Sequence, residues 1–117
     1  MSNESYQTAK EFREEREKLN DIVLENADIN IKRFFNLDTK VYEDGALPAK
    51  TKEMLGLVAS TVLRCDDCIQ YHLIRCKEEG VSDEELTEVL SVALIVGGSI
   101  TIPHLRTAFN LWEDMKE

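Results

Sequence analysis

The pattern with the clearest chemistry in the sequence is Cys65-x-x-Cys68, followed four residues later by His72. If Cys65 lies at the start of a helix, the two sulfurs are one turn apart and close enough to join in a disulfide. The imidazole then stands one further turn along the same face. Free N–H groups and the dipole at a helix start favour thiolate over thiol, the nucleophilic form. The spacing therefore predicts redox chemistry at a helix N-terminus.

A general base for this chemistry needs a partner of its own. His72 is placed to act as base toward Cys68, but an imidazole requires a second group that fixes its tautomer and holds its proton. Glu53 is the candidate, because it lies twelve residues before Cys65 on the preceding helix. A tight connection at Arg64 would fold that helix back toward the site.

Metal binding is an alternative for the same residues. A cysteine pair with a nearby histidine can hold zinc, but a structural zinc site has four ligands. The fourth would have to be Glu53, Asp67 or the distant His104. His104 is otherwise a candidate pocket residue, or a capping or surface residue near a helix start. Cys76, four residues past His72, is expected to be a small packing residue on a buried helix face.

Helical periodicity runs through the whole chain, without strand alternation or an internal repeat. The predicted fold class is all-α, a compact bundle of about six helices. The predicted segments are 5–26, 28–43, 48–63, 65–80, 82–97 and a last helix from Ser99.

Local signals support these boundaries. Asp28 is placed to cap the second helix, whose broad apolar face includes Phe34, and Pro48 opens the third. Gly80 should end the fourth in a left-handed cap. The capping-box spacing from Ser82 starts the fifth, and Gly97-Gly98 suits a helix break or a close helix contact. The further expected apolar faces comprise Phe12, Leu19, Ile22 and Val23; Ile31, Phe35, Val41 and Tyr42; Met54, Leu57, Val58, Thr61 and Val62; Leu86, Val89, Leu90, Ala93 and Leu94; and Leu105, Ala108, Phe109 and Trp112.

Size, composition and charge narrow the function classes. The 117 residues are 43% hydrophobic and 32% charged, which predicts one globular domain spanning 1–117. A net charge of -9 disfavours nucleic acid and anionic membrane surfaces as partners. The longest apolar stretch, Val92–Ile102, is too short to span a membrane. Three cysteines and no apolar leader favour a cytoplasmic location.

The spacing of these residues resembles that of the carboxymuconolactone decarboxylase family, and more narrowly its alkyl hydroperoxidase D-like branch. The match rests on Glu53, the Cys65-x-x-Cys68-x-x-x-His72 pattern, Gly80, the helix start at Glu84-Glu85 and Gly97-Gly98, and covers about residues 44–109. The resemblance implies an all-α fold assembled into trimers or hexamers, with no cofactor. It also implies that Cys68 attacks a peroxide or disulfide substrate, that Cys65 resolves, and that His72 with Glu53 moves protons before a thiol reductant restores the pair. The thin apolar stripe of the first helix likewise favours packing across a neighbouring subunit or at the bundle edge.

One position departs from the family pattern. The best-known peroxidase members carry a further histidine immediately before the second cysteine, where this chain has Asp67. Asp67 is a candidate replacement in the relay, but with Asp66 it also places negative charge beside the sulfurs, which disfavours thiolate. Disulfide exchange is therefore the main expectation, with peroxidase activity as an extension of it. The alternatives are a non-catalytic or metal-binding oligomer, and a decarboxylase of the carboxymuconolactone type, although that branch generally lacks the cysteine pair.

Overall fold

The computed structural model describes residues 7–116, and every regular element within them is helical. In chain order these are α1 (Ala9–Asn26), α2 (Ile29–Val41), α3 (Ala49–Val62), α4 (Asp66–Glu78), α5 (Asp83–Gly97), a short 3₁₀ turn (Ser99–Thr101) and α6 (Ile102–Asp114). The predicted all-α fold with six helices is confirmed. Residues 5 and 6, with which the predicted first helix begins, lie outside the described residues.

The helix starts follow the capping residues in the sequence. Ser82 caps α5 by accepting a hydrogen bond from the Glu85 backbone N–H at 3.1 Å, while the Glu85 carboxylate accepts from the Ser82 N–H at 2.9 Å. Thr8 and Glu11 form the same reciprocal pair at the start of α1. Asp28 caps α2 as predicted. These side chains satisfy backbone donors that have no partner within their helices.

The core lies among α3, α4, α5 and α6, with α4 packed between α3 and α6 and α3 also against α5. Its interior is almost entirely aliphatic, and α1 adds one aromatic ring. Trp112 keeps its indole N–H satisfied by donating to Asp83 Oδ1 at 2.7 Å. The buried residues of the core cluster are Phe12, Leu57, Ile69, Leu73, Ile74, Cys76, Val81, Leu86, Leu90, Ala108, Leu111 and Trp112.

The start of α6 differs from the prediction. Ser99 does not cap α6, because it lies in the 3₁₀ turn that precedes the helix. Gly98 leaves α5 with φ of 81°, and the N–H of Thr101 then bonds back to the Gly98 carbonyl at 3.0 Å, which tightens the chain before α6 begins. The prediction that Phe109 faces inward is wrong, because its side chain is 38% exposed. The residues that α6 buries in the core are Ala108, Leu111 and Trp112.

The two N-terminal helices leave apolar side chains uncovered. Phe12 is the buried residue of α1, and the described part of α2 buries none. The predicted apolar face of α2 is therefore not a core face within this chain, and Phe34 is 71% exposed. The large exposed apolar residues of this pair are Leu19, Ile22, Val23, Leu24, Ile29, Ile31, Phe34, Leu37 and Val41. None of the helices in residues 7–116 is both long and apolar enough to cross a membrane.

Candidate redox site at the start of α4

A left-handed turn brings α3 and α4 side by side. The N–H of Cys65 bonds to the Ser60 carbonyl and that of Arg64 to the Thr61 carbonyl, each at 3.0 Å. This pair of bonds defines a Schellman motif, whose turning residue is usually glycine. Here that residue is Arg64, with φ of 60°, whereas the same motif at the end of α4 uses Gly80 as predicted. The turn at Arg64 reverses the chain, as the sequence led us to expect.

The two cysteines of the motif are joined in a disulfide at the first turn of α4. Cys65 is the N-cap residue, and its sulfur accepts a hydrogen bond from the Cys68 backbone N–H at 3.3 Å. The Cα atoms are 5.3 Å apart, within the range that a disulfide spans. Both residues are partly exposed, so an external thiol or disulfide can reach them. The helix start also offers its dipole to a thiolate formed on reduction.

A buried histidine–glutamate pair lies behind the disulfide. His72 Nδ1 is 2.8 Å from Glu53 Oε1, and Glu53 is only 1% exposed. Because a carboxylate only accepts hydrogen bonds, Nδ1 carries the proton and Nε2 is left as the basic nitrogen. The structure thus brings Glu53 to the site, as the predicted turn at Arg64 required.

Arg75 is a member of this network that the sequence analysis missed. Its Nε is 3.5 Å from Glu53 Oε2, so the buried carboxylate has a cationic partner on its second oxygen. Arg75 is in turn held by Glu78 at 2.8 Å and Glu79 at 3.2 Å. The hydrogen bond to Glu78 raises the pKa of the Arg75 guanidinium above its already high ordinary value. The available signal was its position three residues after His72, which places it on the same face of α4.

Two tyrosines and a glycine enclose the imidazole, and the sequence analysis assigned none of them to the site. The Tyr42 and Tyr71 rings lie 5.2 and 5.3 Å from the His72 ring, centroid to centroid. Gly56 presents bare α3 backbone: a Cβ there would lie 2.7 Å from His72 Cε1 and 2.9 Å from both His72 Nε2 and the Tyr42 hydroxyl. Glycine is therefore required for this close approach. Burial, followed by the charge of Glu53, raises the pKa of both phenols, so they stay protonated at neutral pH.

The glutamate side of this network opens onto a cavity of about 440 Å³. It lies at the end of α2, between that helix, α3 and α4. Its lining combines the two tyrosines with several carboxylates and the Arg75 guanidinium. The lining residues are Asp38, Thr39, Tyr42, Glu43, Asp44, Ala49, Glu53, Tyr71, Arg75 and Glu79. The buried Glu53 carboxylate is therefore adjacent to space that water or a small molecule can enter.

The other residues singled out in the sequence, Asp67, His104 and Cys76, lie apart from the His72–Glu53 hydrogen bond. Asp67 is exposed, and within residues 7–116 its side chain forms no hydrogen bond or ion pair, so the geometry does not place it in the relay. His104 Nδ1 is instead 2.7 Å from Asp66 Oδ1, at the edge of the site. Cys76 is fully buried, and burial raises the pKa of its thiol to about 12. In the part of the chain that the structure describes, no three His, Cys, Asp or Glu side chains converge as a metal site.

Fold and site together define an all-α protein with a cysteine pair at a helix start, backed by a buried histidine and glutamate. Residues 31–114 match the family model of the carboxymuconolactone decarboxylase family, and the chain belongs to that family.

Solved structures agree with this assignment. Two crystal structures of one Thermotoga maritima protein are 61% and 60% identical to the chain, with TM-scores of 0.88 and 0.85. The first match covers 91% of this chain and 93% of that one, and the second covers 89% and 88%. That protein is described as a carboxymuconolactone decarboxylase family member to which a possible role in the antioxidative response is ascribed. A family protein from Legionella pneumophila, 22% identical over 93% of this chain and 97% of that one, shares the fold with a TM-score of 0.84.

Sequence relatives are more distant. A protein from Cupriavidus necator is 34% identical over 56 residues, which is 48% of this chain and 50% of that protein. This match therefore spans about half of the relative's length. A Paracoccus denitrificans protein encoded in a cox locus is 27% identical over 82 residues, covering 70% of this chain and 74% of that protein.

Proposed function

We propose that the protein is a thiol–disulfide oxidoreductase of the alkyl hydroperoxidase D-like branch, with Cys65 and Cys68 as its redox pair. The observation that carries the proposal is the Cys65–Cys68 disulfide at the start of α4, with the His72–Glu53 pair buried behind it. A purely structural disulfide does not need a buried acid–base pair beside it. The antioxidative role ascribed to the Thermotoga protein supports the same assignment.

The exchange reaction uses each of these groups. In the reduced protein, His72 Nε2 takes the proton of Cys68, and Glu53 stabilises the resulting imidazolium. The Cys68 thiolate attacks a disulfide substrate, so one S–S bond breaks and a mixed disulfide forms. The departing substrate thiolate takes the proton back from the His72 imidazolium and leaves as a thiol. The thiol of Cys65 then attacks the Cys68 sulfur and releases the second substrate thiol. An external dithiol reduces the Cys65–Cys68 disulfide by the reverse sequence and supplies the two electrons.

We further propose that the reduced cysteine pair reduces hydroperoxides. The Cys68 thiolate would attack a hydroperoxide, breaking the O–O bond to give a sulfenic acid and an alcohol. Attack by the Cys65 thiol would then release water and form the same disulfide. The partial exposure of both cysteines supports this reaction, because a hydroperoxide can reach the Cys68 sulfur. Asp67 is absent from the relay geometry, so the proposed mechanism gives it no role.

We also propose that the protein acts as a homo-oligomer, a trimer or hexamer. The support is the uncovered apolar surface of α1 and α2, where Phe34 is 71% and Leu37 59% exposed. Large apolar side chains left exposed on two consecutive helices indicate surface that another subunit covers. Light scattering at micromolar concentration tests this, and a monomeric mass would contradict it.

Cysteine variants test the proposed function directly. We expect the Cys68→Ser variant to lose reaction with a chromogenic aromatic disulfide, and Cys65→Ser to stop at a mixed disulfide on Cys68 that mass spectrometry detects. The matched control is Cys76→Ala, which removes the buried third thiol and should leave the reaction unchanged. If the Cys68→Ser variant reacts at the wild-type rate, the redox assignment is wrong.

A further inference from the structure

Tyr42 occupies a position that the exchange mechanism does not use. It ends α2, and its hydroxyl meets α3 at Gly56, where the His72 imidazole also lies. The hydroxyl and His72 Nε2 are each 2.9 Å from the same point, the site of a Cβ at Gly56. The two atoms are therefore within twice that distance of each other. An oxygen atom that lies beside the bare Gly56 backbone, rather than at the Cβ position itself, can form a hydrogen bond with each of them.

Both atoms are available to a ligand. His72 Nδ1 is hydrogen-bonded to Glu53, so Nε2 is the ring nitrogen that can bind a ligand or accept a proton. Within residues 7–116, neither Nε2 nor the Tyr42 hydroxyl forms a side-chain hydrogen bond, and no buried side-chain nitrogen or oxygen there lacks a partner. Both atoms therefore keep hydrogen-bonding capacity that a ligand can use. Tyr42 also lines the 440 Å³ cavity beside the relay.

We propose that the Tyr42 hydroxyl is a catalytic hydrogen-bond donor that holds the leaving oxygen of a hydroperoxide against His72 Nε2. This inference rests on the proposed function and adds a fifth residue, Tyr42, to its peroxidase reaction. Phenol O–H and imidazolium N–H are the donors that a developing alkoxide requires. Because burial and Glu53 raise the pKa of Tyr42, the phenol keeps its proton throughout.

The Cys68 proton passes to His72 Nε2, and the thiolate sulfur bonds to the terminal oxygen of the hydroperoxide while the O–O bond breaks. Sulfur is oxidised to sulfenic acid, and the peroxide is reduced. The departing alkoxide accepts a hydrogen bond from Tyr42 and the proton from His72 Nε2, and it leaves as an alcohol. An aromatic disulfide releases a thiolate of low pKa, whose charge is spread over the sulfur and the ring, so that leaving group gains less from the Tyr42 hydroxyl than an alkoxide does.

This difference makes Tyr42→Phe the decisive variant. It removes one oxygen and keeps the ring against the imidazole. Tyr71→Phe is the matched control, since it removes the same atom from the other ring that packs on His72. Gly56→Ala would not discriminate, because its methyl group would displace His72 and impair both reactions.

The experiment compares two rates for each reduced protein: oxidation by cumene hydroperoxide, and oxidation by an aromatic disulfide. We expect Tyr42→Phe to slow the hydroperoxide reaction at least tenfold, with the disulfide reaction within twofold of wild type and Tyr71→Phe normal in both. The proposal is overturned by equal loss of both rates, by loss of neither, or by the same loss in Tyr71→Phe. A wild-type protein that exchanges disulfides but ignores hydroperoxide overturns it while leaving the exchange function standing. Failure in both reactions removes the proposed function itself.

Discussion

Replacing Glu53 by glutamine separates the charge of the buried carboxylate from its shape. His72 Nδ1 lies 2.8 Å from Glu53 Oε1. Glutamine can still accept that hydrogen bond through its amide oxygen. It cannot offer a negative charge to the imidazolium that forms when His72 takes the Cys68 proton. Since Glu53 is 1% exposed, water does not replace that charge.

The size of the effect follows from the geometry. With Nδ1 and Oε1 in contact, the charge centres of an imidazolium and a carboxylate are about 4 Å apart, which is worth about 4 kcal/mol at an effective dielectric constant of about 20. If about half of the proton charge has reached the imidazole in the transition state, Glu53→Gln raises the barrier by about 2 kcal/mol. That corresponds to a rate about 30-fold lower.

The assay is the single-turnover reaction of the reduced protein with an aromatic disulfide at pH 7. Glu88→Gln is the matched control, because Glu88 is exposed on α5 and the chemical change is identical. His72→Ala should cost at least tenfold, as expected for loss of a general base. Adding Glu53→Gln to His72→Ala should slow the reaction no further, because Glu53 acts through the imidazole. A folded Glu53→Gln variant with the wild-type rate, or effects that multiply in the double variant, would refute the relay.

Substitutions at three further positions probe the groups around the site. Arg64→Gly should raise the free energy of unfolding by about 1 kcal/mol, because glycine adopts the left-handed φ of 60° without strain, and Arg64→Ala should not; urea denaturation measures both. Arg75→Met should lower the stability by about 2 kcal/mol by leaving the Glu53 carboxylate with one partner, and Arg75→Lys should recover part of that loss in the same assay. The Cys76 thiol, with a pKa near 9 when unfolded and about 12 when folded, keeps its proton longer in the native state. The free energy of unfolding should therefore fall as pH rises from 9 to 12, by up to about 1.4 kcal/mol per pH unit from this group, and denaturation of Cys76→Ala should lack that contribution.

The parts of the molecule that depend on local sequence were predictable. The capping box at Ser82, the left-handed end at Gly80 and the start of α4 at Cys65 each involve residues within one or two turns. The disulfide is also local, since its cysteines are three residues apart. Glu53 could be inferred because one tight turn separates α3 from α4.

Contacts between distant segments could not be read from the same signals. Tyr42 is the C-cap residue of α2, a helix with no buried residue, and nothing in the spacing of that helix indicates where the Tyr42 side chain will lie. Gly56 looks like an ordinary helix residue until His72 is packed against it. Ser99 resembles an N-cap, yet the backbone at Gly98 tightens the chain into a 3₁₀ turn first. For Tyr42 and Gly56, tertiary packing decides what local propensity leaves open.

Equilibrium redox titration is the most direct test of the central claim that Cys65 and Cys68 form a reversible redox pair. The protein is equilibrated in dithiol–disulfide buffers, quenched by alkylation, and its peptides are mapped by mass spectrometry. We expect a single two-electron transition in which Cys65 and Cys68 lose their thiols together in an intramolecular disulfide, with Cys76 reduced throughout and the same midpoint in Cys76→Ala. Cross-links to Cys76, or two thiols that stay reduced across the whole range of buffers, would contradict the account.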